Sequence, residues 1–428
     1  MLGAGIFIFP GIAAGDAGLG AVWSFVVGGA LAFAVALPAS ELASAMPESG
    51  GGYVIISRGL GRFWGCVVGI AQWVGLIFAS AFYVVGFGHY LNDFLARIGL
   101  ELSVEVSLIG LVATVSLFAV SVVGTQTAGK LQNHVVMTLL VILGLFLGAS
   151  VLDGMGVISE PWQIEATLWD SSVLTVLATT SLIFTAYLGF AQVINVAGEV
   201  RSPSKTIPRA MISAIVVVTI IYAAVMYISV AALGVDALAE RGETAIPAVA
   251  AKVAGPTGAL ALVLAGVLAT LSSANASILG ASRLVFALSR DGLMPRVAGK
   301  VSRRFSTPHI ALVIVALPMA GLVWLDQLEV LAEVASFSHL ILYGLFGLCA
   351  VAMRRRPDRD YDPDFRSPGG VVLSVITLLA CGGLVLLMKP LSQAFGAAVV
   401  VGAALWYWGY DGARFDTNQD DDNKDSSP

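Results

Sequence analysis

The chain has 428 residues, of which 57% are hydrophobic and only 12% charged, with a formal net charge of −5. With a mean hydropathy of +0.88, it lacks the roughly 25% of charged residues that lets a globular domain face water. Three scattered cysteines and four scattered histidines exclude a disulfide framework and a metal-ligand spacing, and nothing points to a nucleic-acid partner.

The chain opens on Met1-Leu2-Gly3-Ala4-Gly5 with an apolar piece, Ile6 to Ala14, and no basic stretch precedes it as in a cleavable signal peptide. At about 1.5 Å per residue this piece covers roughly half a bilayer, so it is either a re-entrant piece or, as the favoured expectation, a first helix whose upstream half is missing from this sequence. Apolar runs near the roughly 20 residues that a span needs follow at 21–45, 63–91, 104–124, 132–152, 172–198, 209–234, 257–288, 309–325, 328–353, 370–388 and 392–410. The predicted fold is therefore an all-α integral membrane protein. When alternate loops are assigned to opposite sides, only Arg97, Arg241, Lys252 and Lys389 of the 23 Lys and Arg fall on the outer side. The positive-inside rule then puts the C-terminus in the cytoplasm of a multi-pass cell-membrane protein. Residues 411–428, with Asp420-Asp421-Asp422, read as an acidic, disordered cytoplasmic tail.

Two places set glycine inside apolar helix: Gly3-Ala4-Gly5-Ile6-Phe7 and Phe184-Thr185-Ala186-Tyr187-Leu188-Gly189-Phe190, the latter near the middle of the sixth span. In lipid an interrupted helix survives only where it lines a protein cavity. One broken end offers N–H groups and a positive dipole, which suit a carboxylate; the other offers carbonyls, which suit an ammonium or a metal cation. Close helix packing through small residues explains the glycines equally well at this level.

The second segment continues into Val196-Ala197-Gly198-Glu199-Val200-Arg201-Ser202-Pro203 and Ile207-Pro208-Arg209-Ala210. Together they resemble the sixth helix and following loop of the amino acid–polyamine–organocation (APC) permeases. Gly3-Ala4-Gly5-Ile6-Phe7 with Pro10-Gly11 looks like that family's first-helix break. Glu41, Pro47, Gly50-Gly51-Gly52-Tyr53 and the stretches Ala281-Ser282-Arg283-Leu284 and Ser289-Arg290-Asp291-Gly292-Leu293-Met294-Pro295 extend the likeness across residues 1–410. The resemblance implies about twelve membrane helices in a LeuT-like 5+5 inverted repeat, the first helix truncated at its N-terminal half. The repeats would cover about 1–152 and 172–353, with extra helices in 370–410. It also implies a secondary transporter that moves amino acids by alternating access. Gly3, Ala4, Gly5 and Ile6 would hold the substrate carboxylate, and carbonyls near Phe184, Thr185 and Ala186 the α-ammonium. Phe184 would be an aromatic lid, Tyr187 would face the side-chain pocket, and Gly189 belongs to the same break.

Ser272 and Ser273 are candidate ion-coupling residues, since related folds place eighth-span hydroxyls on a sodium ion; bonding to their own helix is the ordinary alternative. Proton-coupled relatives carry a fifth-span lysine, and Thr138-Leu139-Leu140 stands near that place here. This favours sodium coupling or exchange over that proton mechanism, and no resident cofactor or metal beyond a sodium site is expected. Glu41 and Glu199 near the cytoplasmic ends are candidate gates, with bonding to nearby backbone or basic residues as the ordinary alternative. Ala191 stands where many relatives have aspartate, and with the short start it keeps open a sensor or assembly partner that binds amino acids without transport. HExxH pairs, paired intramembrane aspartates and Ser/His constellations are absent from the sequence, so no enzyme is expected. Amino acids and the bilayer are the expected partners; oligomeric state is not legible.

Overall fold

Lipid supplies no hydrogen bonds to a peptide backbone, so apolar runs of bilayer length fold as helices that pair their own N–H and C=O groups. The structure is a computed structural model that describes residues 2–46, 51–100, 104–123, 128–157, 162, 171–302, 304–305, 307–355 and 361–424. For 128–132, 195–199 and 411–424 it describes the backbone alone. In chain order the α-helices are α1 (Gly5–Ala17), α2 (Ala21–Ala45), α3 (Gly52–Leu60), α4 (Arg62–Arg97), α5 (Val106–Val123), α6 (Ala128–Gly154) and α7 (Val173–Ile183). Then come α8 (Pro203–Leu233), α9 (Val235–Arg241), α10 (Ala245–Arg290), α11 (His309–Val323), α12 (Leu328–Arg354), α13 (Gly370–Leu386) and α14 (Pro390–Lys424). A 3₁₀ helix over Phe184–Glu199 extends α7, and no strand occurs among the described residues.

Among the described residues nine helical stretches are long and apolar enough to cross a membrane, and His309–Val323 and Gly370–Leu386 are shorter apolar helices. Each predicted run has its helix. α10 holds one break, at Gly255, whose φ of 68° and ψ of −165° sit just before Pro256. The helix that follows matches the run expected at 257–288. The short helices α3 and α9 were not expected from hydropathy, because neither is long enough to span. α14 runs on as helical backbone through 411–424, the stretch read from sequence as an acidic tail; residues 425–428 lie outside the described residues.

α2 packs along α8, α4 along α10 and α12, α5 along α11, and α12 along α13. α4 and α12 are the most enclosed of the long helices, whereas α6 and α14 turn most of their surface outward. That outward surface is apolar: Val112, Leu145 and Leu386 are 61%, 70% and 75% exposed. An apolar exterior around an all-helical bundle is the surface of a multi-pass membrane protein.

Candidate functional site

α1 starts at Gly5, against the junction of α7 with its 3₁₀ extension. A Cβ built on Gly5 would lie 2.6 Å from the Ala186 Cβ and 3.0 Å from its Cα, so glycine is what lets the two backbones approach. The helix start directs amides without intrahelical partners toward this junction, and Ala4 N–H donates to the Ser273 hydroxyl of α10 at 3.2 Å. The Ala4 carbonyl already accepts from Phe7 and Ile8 N–H at 3.0 and 3.1 Å.

Where the sixth span was expected to break, the α-helix stops at Ile183 and tightens into 3₁₀ geometry for 16 residues. Such runs seldom exceed 3–4 residues, so partners outside the run must help to hold it. Two buried tyrosines donate to it: Tyr222 Oη of α8 to the Ala186 carbonyl at 3.3 Å, and Tyr343 Oη of α12 to the Leu188 carbonyl at 3.1 Å. Thr185 Oγ1 adds a link to α12, 2.6 Å from both the Ala332 carbonyl and Ser336 Oγ. Across the site Tyr90 Oη of α4 donates to the Phe7 carbonyl at 2.8 Å. Hydropathy gives no hint of these tyrosines, since a buried ring and a carbonyl-tethering hydroxyl read alike in sequence.

Between these elements lies a cavity of about 90 Å³. Gly3, Ala4 and Gly5 wall one side; Thr185, Ala186, Leu188, Gly189 and Gln192 of the 3₁₀ run wall another. Leu76, Ala79 and Tyr83 of α4 and Ser273, Ala276 and Ser277 of α10 close it. No charged side chain among the described residues lines it. The structure thus brings Gly3, Ala4, Gly5, Thr185, Ala186 and Gly189 together, with Ser273 beside them. Ile6, Phe184 and Tyr187 stand behind the wall. Tyr187 turns away because its hydroxyl donates to the Phe25 carbonyl of α2 at 2.7 Å, and the Phe184 ring is buried against Tyr187 and Tyr343. Ser272 does not line the cavity.

Tyr83, Gln192 and Ser277 line the cavity without having been singled out from sequence. Two of them carried a signal: Ser277 falls one turn after Ser273, and Gln192 is a polar residue three positions beyond Gly189 in an apolar run.

The two gate candidates separate. Glu41 is wholly buried and fully used: Arg354 donates to it through Nε at 2.7 Å and through Nη2, Tyr361 Oη donates at 2.8 Å, and the Ser367 amide at 2.8 Å. Burial, then the hydrogen bond to the Glu41 carboxylate, holds the Tyr361 hydroxyl above the ordinary tyrosine value, so it stays a donor. Glu199 closes the 3₁₀ run, and its side chain lies outside the described residues. Elsewhere on α12, His339 Nδ1 lies 2.8 Å from its own helix's Ala335 carbonyl, and buried Glu333 accepts from the Lys389 amide at 3.3 Å.

A family profile for amino acid permeases matches residues 1–410. A branched-chain amino acid permease of Bacillus subtilis is 27% identical over 405 residues, covering 90% of this chain and 84% of that protein. The methylthioribose transporter of the same organism is 25% identical over 396 residues, covering 89% and 84% of the two chains. Its serine/threonine exchanger is 25% identical over 366 residues, covering 83% and 80%. The chain belongs to the amino acid permease family of the amino acid–polyamine–organocation superfamily.

Proposed function

We propose that this permease is a secondary active transporter that carries amino acids across the cell membrane by alternating access around the cavity between α1 and the 3₁₀ run. The reading is carried by one observation: a cavity with no charged side chain among the described residues that line it, walled on one side by a helix start and on another by a helix that has left α geometry. A helix start stabilises a carboxylate through amides and dipole, and carbonyls of an irregular helix accept an ammonium. A zwitterion carries both charges on one carbon. In this reading Gly3, Ala4 and Gly5 hold the carboxylate and the carbonyls around Thr185 and Ala186 the ammonium, while Phe184 and Tyr187 support the wall from behind.

The pairing of α2 with α8, α4 with α10 and α5 with α11 supports two interlocked five-helix halves, as alternating access by inverted repeats requires. The excess of Lys and Arg on one side supports a cytoplasmic C-terminus, which puts the Glu41–Arg354 cluster on the cytoplasmic side as a gate closure. Sodium is the coupling ion we favour, with exchange as the alternative. Ser273 joins α10 to the start of α1, and the fifth span has no lysine at 133–149.

The test is uptake by the full-length protein in proteoliposomes, with a panel of radiolabelled amino acids, an imposed sodium gradient, and a parallel set preloaded with amino acid. Accumulation or exchange of at least one amino acid is expected. Failure of both across the panel, for protein that is monodisperse in detergent, would refute transport.

A further inference from the structure

We infer that the side-chain end of this cavity selects uncharged amino acids whose side chains form hydrogen bonds, of the size of serine, threonine or asparagine, and that Tyr83, Gln192 and Ser277 are the residues that select them. This rests on the transport reading above and adds the substrate class to it.

The polar side chains in the cavity wall fall into two groups. Thr185 and Ser273 already have protein partners: the first is bonded to the Ala332 carbonyl and Ser336, the second accepts from the Ala4 amide. Tyr83, Gln192 and Ser277 line the same cavity from α4, the 3₁₀ run and α10, and none has a hydrogen-bond partner among the described residues. Ser277 is 4% exposed, and Tyr83 and Gln192 are half-buried. Three hydroxyl or amide groups around one cavity, without a bond to the described protein, are available to a substrate that displaces the water there.

Their chemistry narrows what that is. A carboxamide presents both donor and acceptor, and each hydroxyl rotates to give either, so the set fits a hydroxyl or an amide and holds no charge to match a basic or acidic side chain. Ser277 lies one turn from Ser273 on α10, which puts the selecting groups beside the end where the substrate's α-carbon would sit. At about 10–15 Å³ for each water-sized group, about 90 Å³ accommodates roughly six to nine non-hydrogen atoms, the range from alanine to asparagine. Leu76, Ala79 and Ala276 give methyl and methylene contacts but cannot pair the three polar groups. A site that must leave buried hydrogen-bonding groups unpaired discriminates against the apolar isostere far more than a missing methylene does.

Threonine and valine have nearly one shape, so their competition isolates the hydroxyl. In proteoliposomes the wild-type protein is expected to favour threonine over valine by at least about tenfold in uptake efficiency. The variants Tyr83→Phe, Gln192→Leu and Ser277→Ala, combined, are expected to bring that ratio toward one while valine is still carried. Valine carried as well as threonine by the wild-type protein overturns the selection and leaves transport standing, whatever the variants do. Absence of uptake of any amino acid overturns the transport reading itself, and this inference with it.

Discussion

Gly5→Ala tests the closeness of α1 to the 3₁₀ run. The added methyl would meet the Ala186 Cβ at 2.6 Å and its Cα at 3.0 Å. Carbon atoms settle at about 3.5–4.0 Å, so the two backbones must part by about 1 Å. Neither contact is the far end of a flexible side chain that could swing aside. Overpacking of this kind costs about 1–3 kcal/mol. Where that strain falls on the closed, substrate-holding form and not on open ones, it weakens substrate binding by roughly 5- to 150-fold. The assay is substrate affinity from the thermal shift of the purified protein, alongside initial uptake rates in proteoliposomes. Gly144→Ala in α6 and Gly382→Ala in α13 are the controls, since a Cβ at either meets nothing within 4 Å among the described residues. All three variants should elute as folded protein from size exclusion, with only Gly5→Ala losing affinity. Wild-type affinity and uptake in Gly5→Ala would refute the claim that the helix start and Ala186 together wall the site.

Tyr222→Phe and Tyr343→Phe each remove a donor from a carbonyl of the 3₁₀ run, and each is expected to lower stability by about 0.5–1.5 kcal/mol. Substrate should recover less of that loss than it does for a comparable substitution in α14, as read by melting with and without substrate. Glu41→Ala strands Arg354 and is expected to destabilise by about 3 kcal/mol, at the low end for a broken buried pair because Arg354 is 20% exposed. The double variant Glu41→Leu/Arg354→Met should melt closer to wild type than Glu41→Ala does; strictly additive losses would mean that the two side chains act independently. Replacing sodium with choline is expected to cut uptake at least tenfold, and Ser273→Ala to raise the sodium needed for half-maximal uptake. Undiminished uptake in choline would favour exchange.

Nearly all of the fold was legible because lipid enforces it: the eleven apolar runs became helices with boundaries close to those read from hydropathy. The Gly255 break also fell just ahead of the run expected there. α3 and α9 escaped because a helix of nine or seven residues carries no bilayer-length signal. The candidate cavity was legible as backbone, while the side chains around it were not. Gly5 and Gly189 announced it, since glycine inside an apolar helix calls for a reason. Which way an aromatic beside them points depends on a partner elsewhere in the chain. Tyr187 follows Phe25, 162 residues away, and no local pattern encodes that pairing.

Donors from other helices are what let the 3₁₀ run be long. A backbone that leaves α geometry inside a bilayer has carbonyls whose bonds are strained or unmade, and each needs a donor or water. Here Tyr222 and Tyr343 supply two of them from α8 and α12, while Thr185 ties the same run to α12 from the other direction. Of the carbonyls proposed to meet the substrate's ammonium, that of Ala186 is held by α8, and the neighbouring Leu188 carbonyl and Thr185 side chain are tied to α12; neither helix lines the cavity. A shift of α8 or α12 moves those carbonyls directly, and a bound ammonium competing for them pulls on the same helices in return. Coupling of this kind is reciprocal, so substitutions at Tyr222 and Tyr343 should change substrate affinity without touching the substrate.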